Sequence, residues 1–166
     1  LIEKYESMRK WQELVQLLER QVERADGDER TALNLRIADL YLNKFRNQGE
    51  AIRAYEQVLS EAPDCIDAIK ALDGMYEKRR DWESLIGIMG READMLDPAD
   101  RPLRYVEMAE LATERLRKPD ICIDLWKRVL AVEPSNAAAL DALSSLYERA
   151  REWEPLAEVL EVLADG

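Results

Sequence analysis

The chain has 166 residues and a formal charge of −11, from 24 Lys plus Arg against 35 Asp plus Glu. It contains no histidine, which excludes His-based catalytic triads, His-ligated zinc and imidazole acid–base chemistry. The acidic balance argues against a nucleic-acid partner, which needs a basic patch to displace counterions, while a 47% hydrophobic content is enough for a packed core.

Apolar residues recur at helical spacing along the whole chain. The expected helices begin with 1–9 and 11–25, the second carrying the stripe Leu14, Leu17, Leu18 and Val22. A break at Asp26-Gly27-Asp28 precedes 29–45, and Asn47-Gln48-Gly49 precedes 48–62. Pro63-Asp64 opens 64–79, where Ile66, Ile69, Leu72 and Tyr76 share a face. Asp81 is the expected N-cap of 82–96, Asp97 of the segment leading to 100–117, and Ser135 of 135–150. Pro102 and Pro119 suit first-turn positions, the latter opening 119–133. The last helix is 153–164. Six glycines and six prolines leave little room for long loops, and no strand pattern competes. No apolar run approaches the roughly 20 residues of a membrane helix, so no membrane partner is expected. Leu1 stands where an initiator Met is usual and lies inside a helical pattern, which suggests a piece of a longer protein.

An internal repeat organises these helices. Trp11, Trp82 and Trp153 are 71 residues apart, as are Tyr5, Tyr76 and Tyr147, and Leu1, Leu72 and Leu143. Pro63 and Pro134, Ile52 and Ile123, and Tyr55 and Trp126 keep the same interval. Leu40, Met75, Leu111 and Leu146 mark a finer spacing of 35 or 36 residues. Each finer unit is a helix pair that buries only part of its apolar surface alone, so stacking is required for a continuous core. The approximate units are 1–28, 29–63, 64–98, 99–134 and 135–166 of a single repeat domain.

The second-helix half of these units resembles the tetratricopeptide repeat family. Ala51-x3-Tyr55 followed by Pro63, and Cys122-x3-Trp126 followed by Pro134, match its A-x3-F…P pattern. The first-helix half appears as Ile69-x2-Leu72-Asp73-x2-Tyr76, as Leu140-x2-Leu143-Ser144-x2-Tyr147, and as Tyr105-x2-Met108-Ala109-x2-Ala112. The family's first-helix Trp and Gly are absent, and Leu14, Leu85 and Leu156 stand where Ala is usual, so the array resembles a divergent member with two alternating units. The resemblance implies an all-α, right-handed solenoid of stacked antiparallel helix pairs, with the first helices lining a concave groove.

On that basis the groove residues are expected to be Arg36, Asp39, Asn43, Asp67, Lys70, Glu77, Val106, Glu107, Glu110, Glu114, Asp141, Ser145 and Glu148, flanked by Glu3, Glu6, Leu35 and Lys78. Carboxylates outnumber cations in this set, which favours a basic or mixed-charge protein or peptide as partner. The family's carboxylate clamp is not reproduced, because Lys70 is followed one turn later by Gly74. The expected function is a non-catalytic protein–protein interaction scaffold. The alternative is a structural spacer or self-association module, with Ile2, Leu160 and Leu163 driving a homodimer through the end helices.

Other constellations have plainer readings. The three tryptophans recur too strictly for a unique ligand site and are expected to pack at the turns between helices. Cys65 and Cys122 fall at different places in their units, with no third Cys or any His to complete a metal site. Asp26-Gly27-Asp28 and the string Asp94, Asp97, Asp100 lack EF-hand spacing and are expected to cap turns. Glu107, Glu110 and Glu114 share a helix face but have no enclosure to raise a pKa for catalysis. No cofactor or metal is expected. The two thiols fit a reducing, cytoplasmic setting, and the Arg-over-Lys, Ala-rich composition suggests a bacterial source.

Overall fold

A computed structural model describes residues 1–165. Among these residues there are ten α-helices and no strand. The helices are α1 (Ile2–Ser7), α2 (Trp11–Val22), α3 (Gly27–Asn43), α4 (Gln48–Glu61), α5 (Ile66–Arg79), α6 (Trp82–Met95), α7 (Arg101–Leu111), α8 (Pro119–Val132), α9 (Ala137–Ala150) and α10 (Trp153–Asp165). Every expected helix is present, with ends shifted by at most three residues. The exception is 100–117, where α7 gives way to a π-helical segment, Ala112–Leu116.

Two compact units divide the chain, Leu1–Arg79 and the part from Arg80 onward. In the first, α1 packs on α2, α2 on α3, α3 on α4 and α4 on α5. Leu14 and Leu18 of α2 are fully buried and form one cluster with Ile37 and Leu40 of α3. Ala38, Ala51 and Ala68 are likewise fully buried on α3, α4 and α5. Such small side chains let neighbouring helix axes approach closely. In the second unit α6 packs on α7, α7 on α8, α8 on α9 and α9 on α10. Met108, Val129 and Leu143 are among its most buried side chains. Cys122 stands 71 residues after Ala51 and fills the same small-residue place, buried as Ala51 is.

The long period also governs finer contacts. The Lys44 ammonium lies 4.8 Å from the centre of the Trp11 ring, and the Arg115 guanidinium 5.7 Å from that of Trp82. Each cation follows its tryptophan by 33 residues, so the same cation–π contact is built in both units. Trp153, the third member, departs from the expected packing. It is 61% exposed, because among the described residues no helix lies over α10 as α3 lies over α2 and α7 over α6.

Helix ends follow local chemistry. Asn47, Asp81 and Asn136 accept the backbone N–H of the residue three further on, as N-caps do. Asp81 thus fills its expected role. Ser135 does not, because Asn136 closes a turn onto the Glu133 carbonyl and takes the cap, and α9 begins two residues later than expected. Asp97 is replaced as the residue preceding α7 by Asp100, whose N–H it holds from the turn. Pro102 and Pro119 occupy first turns. At the other ends, Arg9, Arg46, Arg80, Arg117 and Arg151 all have φ between 52° and 59°. All five first helices, or the π segment extending one, therefore end in a left-handed arginine where glycine is usual.

The π segment coincides with a pair of hydrogen bonds at Thr113. The Thr113 hydroxyl donates to the Ala109 carbonyl at 2.7 Å and accepts the Trp126 indole N–H at 3.0 Å. Ser144 makes the same kind of bond to Leu140 in α9, which stays α-helical, so what sets Thr113 apart is the added contact to Trp126. The first unit has Leu42 at the equivalent position, and α3 stays α-helical through Asn43.

Candidate functional site

The expected groove residues lie on the first helices, α3 and α5 in one unit, α7 and α9 in the other. They are not equally available. In the first unit Arg36 forms an ion pair with Glu6 of α1, so both charges are engaged between neighbouring first helices. Asp39 was expected to face away from the second helices, and the structure corrects this. Its carboxylate accepts the Tyr55 hydroxyl from α4, the second helix of its own pair. Burial, followed by this hydrogen bond and the Asp39 charge, pushes the Tyr55 phenol far above its ordinary pKa. Asn43 closes α3 and is exposed. Asp67, Lys70 and Glu77 are exposed on α5. Gly74, one turn beyond Lys70, has no atom within 4 Å of where a Cβ would stand, so nothing there mimics a second ligand.

In the second unit Val106 is half-buried, and Glu107 is held by Arg104 at 2.8 Å. Arg104 also grips Glu92 of α6. Burial works against the Arg104 charge, but the hydrogen bonds to Glu107 and Glu92 outweigh it and raise its pKa. Glu107 is thus part of a three-residue ion cluster and not a free carboxylate. Glu110, Asp141, Ser145 and Glu148 are exposed, and none of the three carboxylates among them makes an ion pair among the described residues. Glu114 is exposed too, but it sits in the π segment, whose wider turn takes it off the line of Glu107 and Glu110. The shared face expected of the three glutamates is therefore interrupted by a feature that their spacing does not reveal.

Sequence reasoning missed a partition of charge between the two ends of the helix pairs. Within the units the turns from first to second helix are rich in bases, Arg9 and Lys10, Lys44 and Arg46, Arg117 and Lys118, and Arg151, with Glu152 among them. The opposite turns are richer in acids, Asp26 and Asp28, Asp64, and Asp94 and Asp97, with Arg24 among them. The signal was present in the sequence as bases recurring just before Trp11, Trp82 and Trp153, and it became readable once both helices of each pair were placed.

Cys65 is half-buried and Cys122 buried, and both thiols are free. Burial pushes the Cys122 thiol up in pKa, partly offset by its hydrogen bond to Thr113. Among the described residues no group of three or more His, Cys, Asp or Glu side chains is placed to hold a metal ion. No described helix is long and apolar enough to cross a membrane.

Residues 5–33, running from α1 through α2 into α3, match the tetratricopeptide repeat family. No curated protein matches the chain in sequence. Solved structures similar to it include the crystal structure of MamA, at 11% identity and a TM-score of 0.48, covering 99% of this chain and 95% of that one. A MamA RS-1 double mutant is 12% identical with a TM-score of 0.48, covering 99% of this chain and 89% of its own. MamA AMB-1 is 16% identical with a TM-score of 0.45, covering 98% and 92%.

Proposed function

We propose that this chain, a tetratricopeptide-repeat protein, is a non-catalytic scaffold that holds a basic or mixed-charge peptide against the exposed faces of its first helices. One observation carries the reading. Glu110 on α7 and Asp141 and Glu148 on α9 are exposed and unpaired, while the apolar faces of the same helices are committed to the core. Packed helices present these carboxylates with little ordering cost on binding, and their sign selects cationic segments. Each repeat supplies a modest contact, so affinity comes from several repeats engaged together. The two separate thiols support a reducing, cytoplasmic setting.

The test is fluorescence anisotropy with a labelled dodecapeptide of alternating lysine and alanine. Reversing Glu110, Asp141 and Glu148 to lysine should weaken binding about tenfold at low salt. Reversing Asp26, Asp28 and Glu29, at the far turns, should have a much smaller effect. Equal losses from both triple variants would show that only net charge is felt and would contradict the reading.

The exposed face of α10 favours a second reading, self-association. Trp153, Leu160 and Val162 are all substantially exposed there. Sedimentation equilibrium separates the two: a mass that rises with concentration in the native chain but not in Leu160→Glu supports self-association, and a monomer throughout removes it.

A further inference from the structure

We infer that the second unit carries a separate recognition pocket for an acidic peptide bearing a bulky apolar side chain. A cavity of about 450 Å³ opens where the turn ends of α7, α8 and α9 meet. Its lining is mostly apolar, from Pro119 and Cys122 of α8 and Leu146 and Ala150 of α9. Arg117 and Arg149 complete the wall, and no carboxylate lines it. Thr113 is the remaining polar group, and its hydroxyl is already committed to Ala109 and Trp126. The cavity therefore offers two guanidiniums and an apolar hollow.

Both guanidiniums are exposed and make no ion pair among the described residues, in a chain of net charge −11 with a surplus of carboxylates. As with most cations of the chain, neither is engaged by a neighbouring carboxylate, so both are free to take one from a ligand. Bases at helix C-termini also answer the helix dipole. Last turns with a base, as in α2 and α9, and without one, as in α3, α4, α6, α7, α8 and α10, occur on both kinds of helix. Arg117 also holds a left-handed conformation, φ 52°, that glycine adopts more cheaply.

Several features select the occupant. The two guanidiniums match carboxylates, which they bind through paired N–H donors. An apolar hollow of this volume takes a Leu or Phe side chain and leaves no buried polar group unpaired. Arg151, just past Ala150, is a third exposed cation next to the lining in sequence, which suits an extended acidic segment over a single small anion. The first-helix carboxylates discussed above favour the opposite sign, so this pocket is independent of that face.

The test uses the 166-residue chain and a fluorescein-labelled peptide with a central Leu-Phe pair flanked by aspartates and glutamates. Anisotropy should show saturable binding that weakens with salt. The double variant Arg117→Glu, Arg149→Glu should bind at least about tenfold more weakly. Ala150→Trp, which fills the hollow and keeps both arginines, should also weaken binding, as should replacing the Leu-Phe pair of the peptide by serines. Arg46→Glu, at the equivalent turn of the first unit, should leave binding unchanged, and circular dichroism should show every variant folded. Equal binding by native chain and double variant overturns the pocket. So does undiminished binding of the serine peptide, or no binding of the native chain at about millimolar peptide.

Discussion

Tyr55 is 3% exposed, and its hydroxyl reaches from α4 to Asp39 on α3. Burial and the neighbouring carboxylate both favour the neutral phenol, so its pKa lies higher in the folded chain than in the unfolded one. A group shifted in this direction contributes fully below its unfolded pKa of about 10 and loses that contribution as pH rises from there toward the folded value. Tyr55→Phe should therefore be about 1 kcal/mol less stable than the native chain near pH 7. The gap should narrow in urea titrations near pH 11, where ionisation of the unfolded phenol removes the native advantage. Tyr41, raised by burial and by Glu19 and Glu50, is present in both chains and cancels in the comparison. A gap that stays constant with pH contradicts the assigned contact. The same pair shows a limit of reading charges from helical position. Asp39 lies where a solvent-facing carboxylate is expected, yet a phenol 16 residues away claims it, and that partnership depends on how two helices cross. Glu107 behaves likewise, since spacing allows for Arg104 three residues earlier but not for Glu92 on the preceding helix.

The five arginines at positive φ show how helices end where no glycine is present. A left-handed backbone costs a non-glycine residue roughly 1–2 kcal/mol, partly offset because glycine loses more entropy on folding. Arg46→Gly should raise stability by roughly 0.5–1 kcal/mol in urea denaturation, and Asn47 should still cap α4 through Glu50. A loss of stability would mean that the Arg46 side chain holds the turn in a way its backbone does not reveal. Helix number, order and approximate limits were legible from apolar spacing and from Pro63, Pro119 and Pro134, because these signals act locally. The π segment was not, because it coincides with Thr113 meeting Trp126 of the next helix, a contact 13 residues apart in sequence. The cavity beside it was hidden for the same reason, being assembled from three helices.

Across the whole chain the 71-residue period is the most informative feature, and the contacts respect it down to the cation over Trp11 and Trp82. The period also identifies what is different about α10. Leu14 and Leu18 of α2 are fully buried, and Leu85 and Met89 of α6 nearly so, whereas the equivalent Leu160 is 48% exposed. The family resemblance pointed to the first helices as the binding face, and their charges could be read from the sequence. Which of those charges remain free could be read only in part, because Arg36 is taken by Glu6 of another helix, whereas the Arg104 that holds Glu107 lies three residues before it on α7. The account rests on the remaining unpaired carboxylates of α7 and α9 acting as the contact surface for a cationic segment. Hydrogen–deuterium exchange of the full chain, with and without saturating lysine–alanine peptide, tests this most directly. The account predicts slower exchange in peptides covering α7 and α9, with α8 and α10 unchanged. Slower exchange confined to α8 or α10, or none anywhere at saturation, would contradict it.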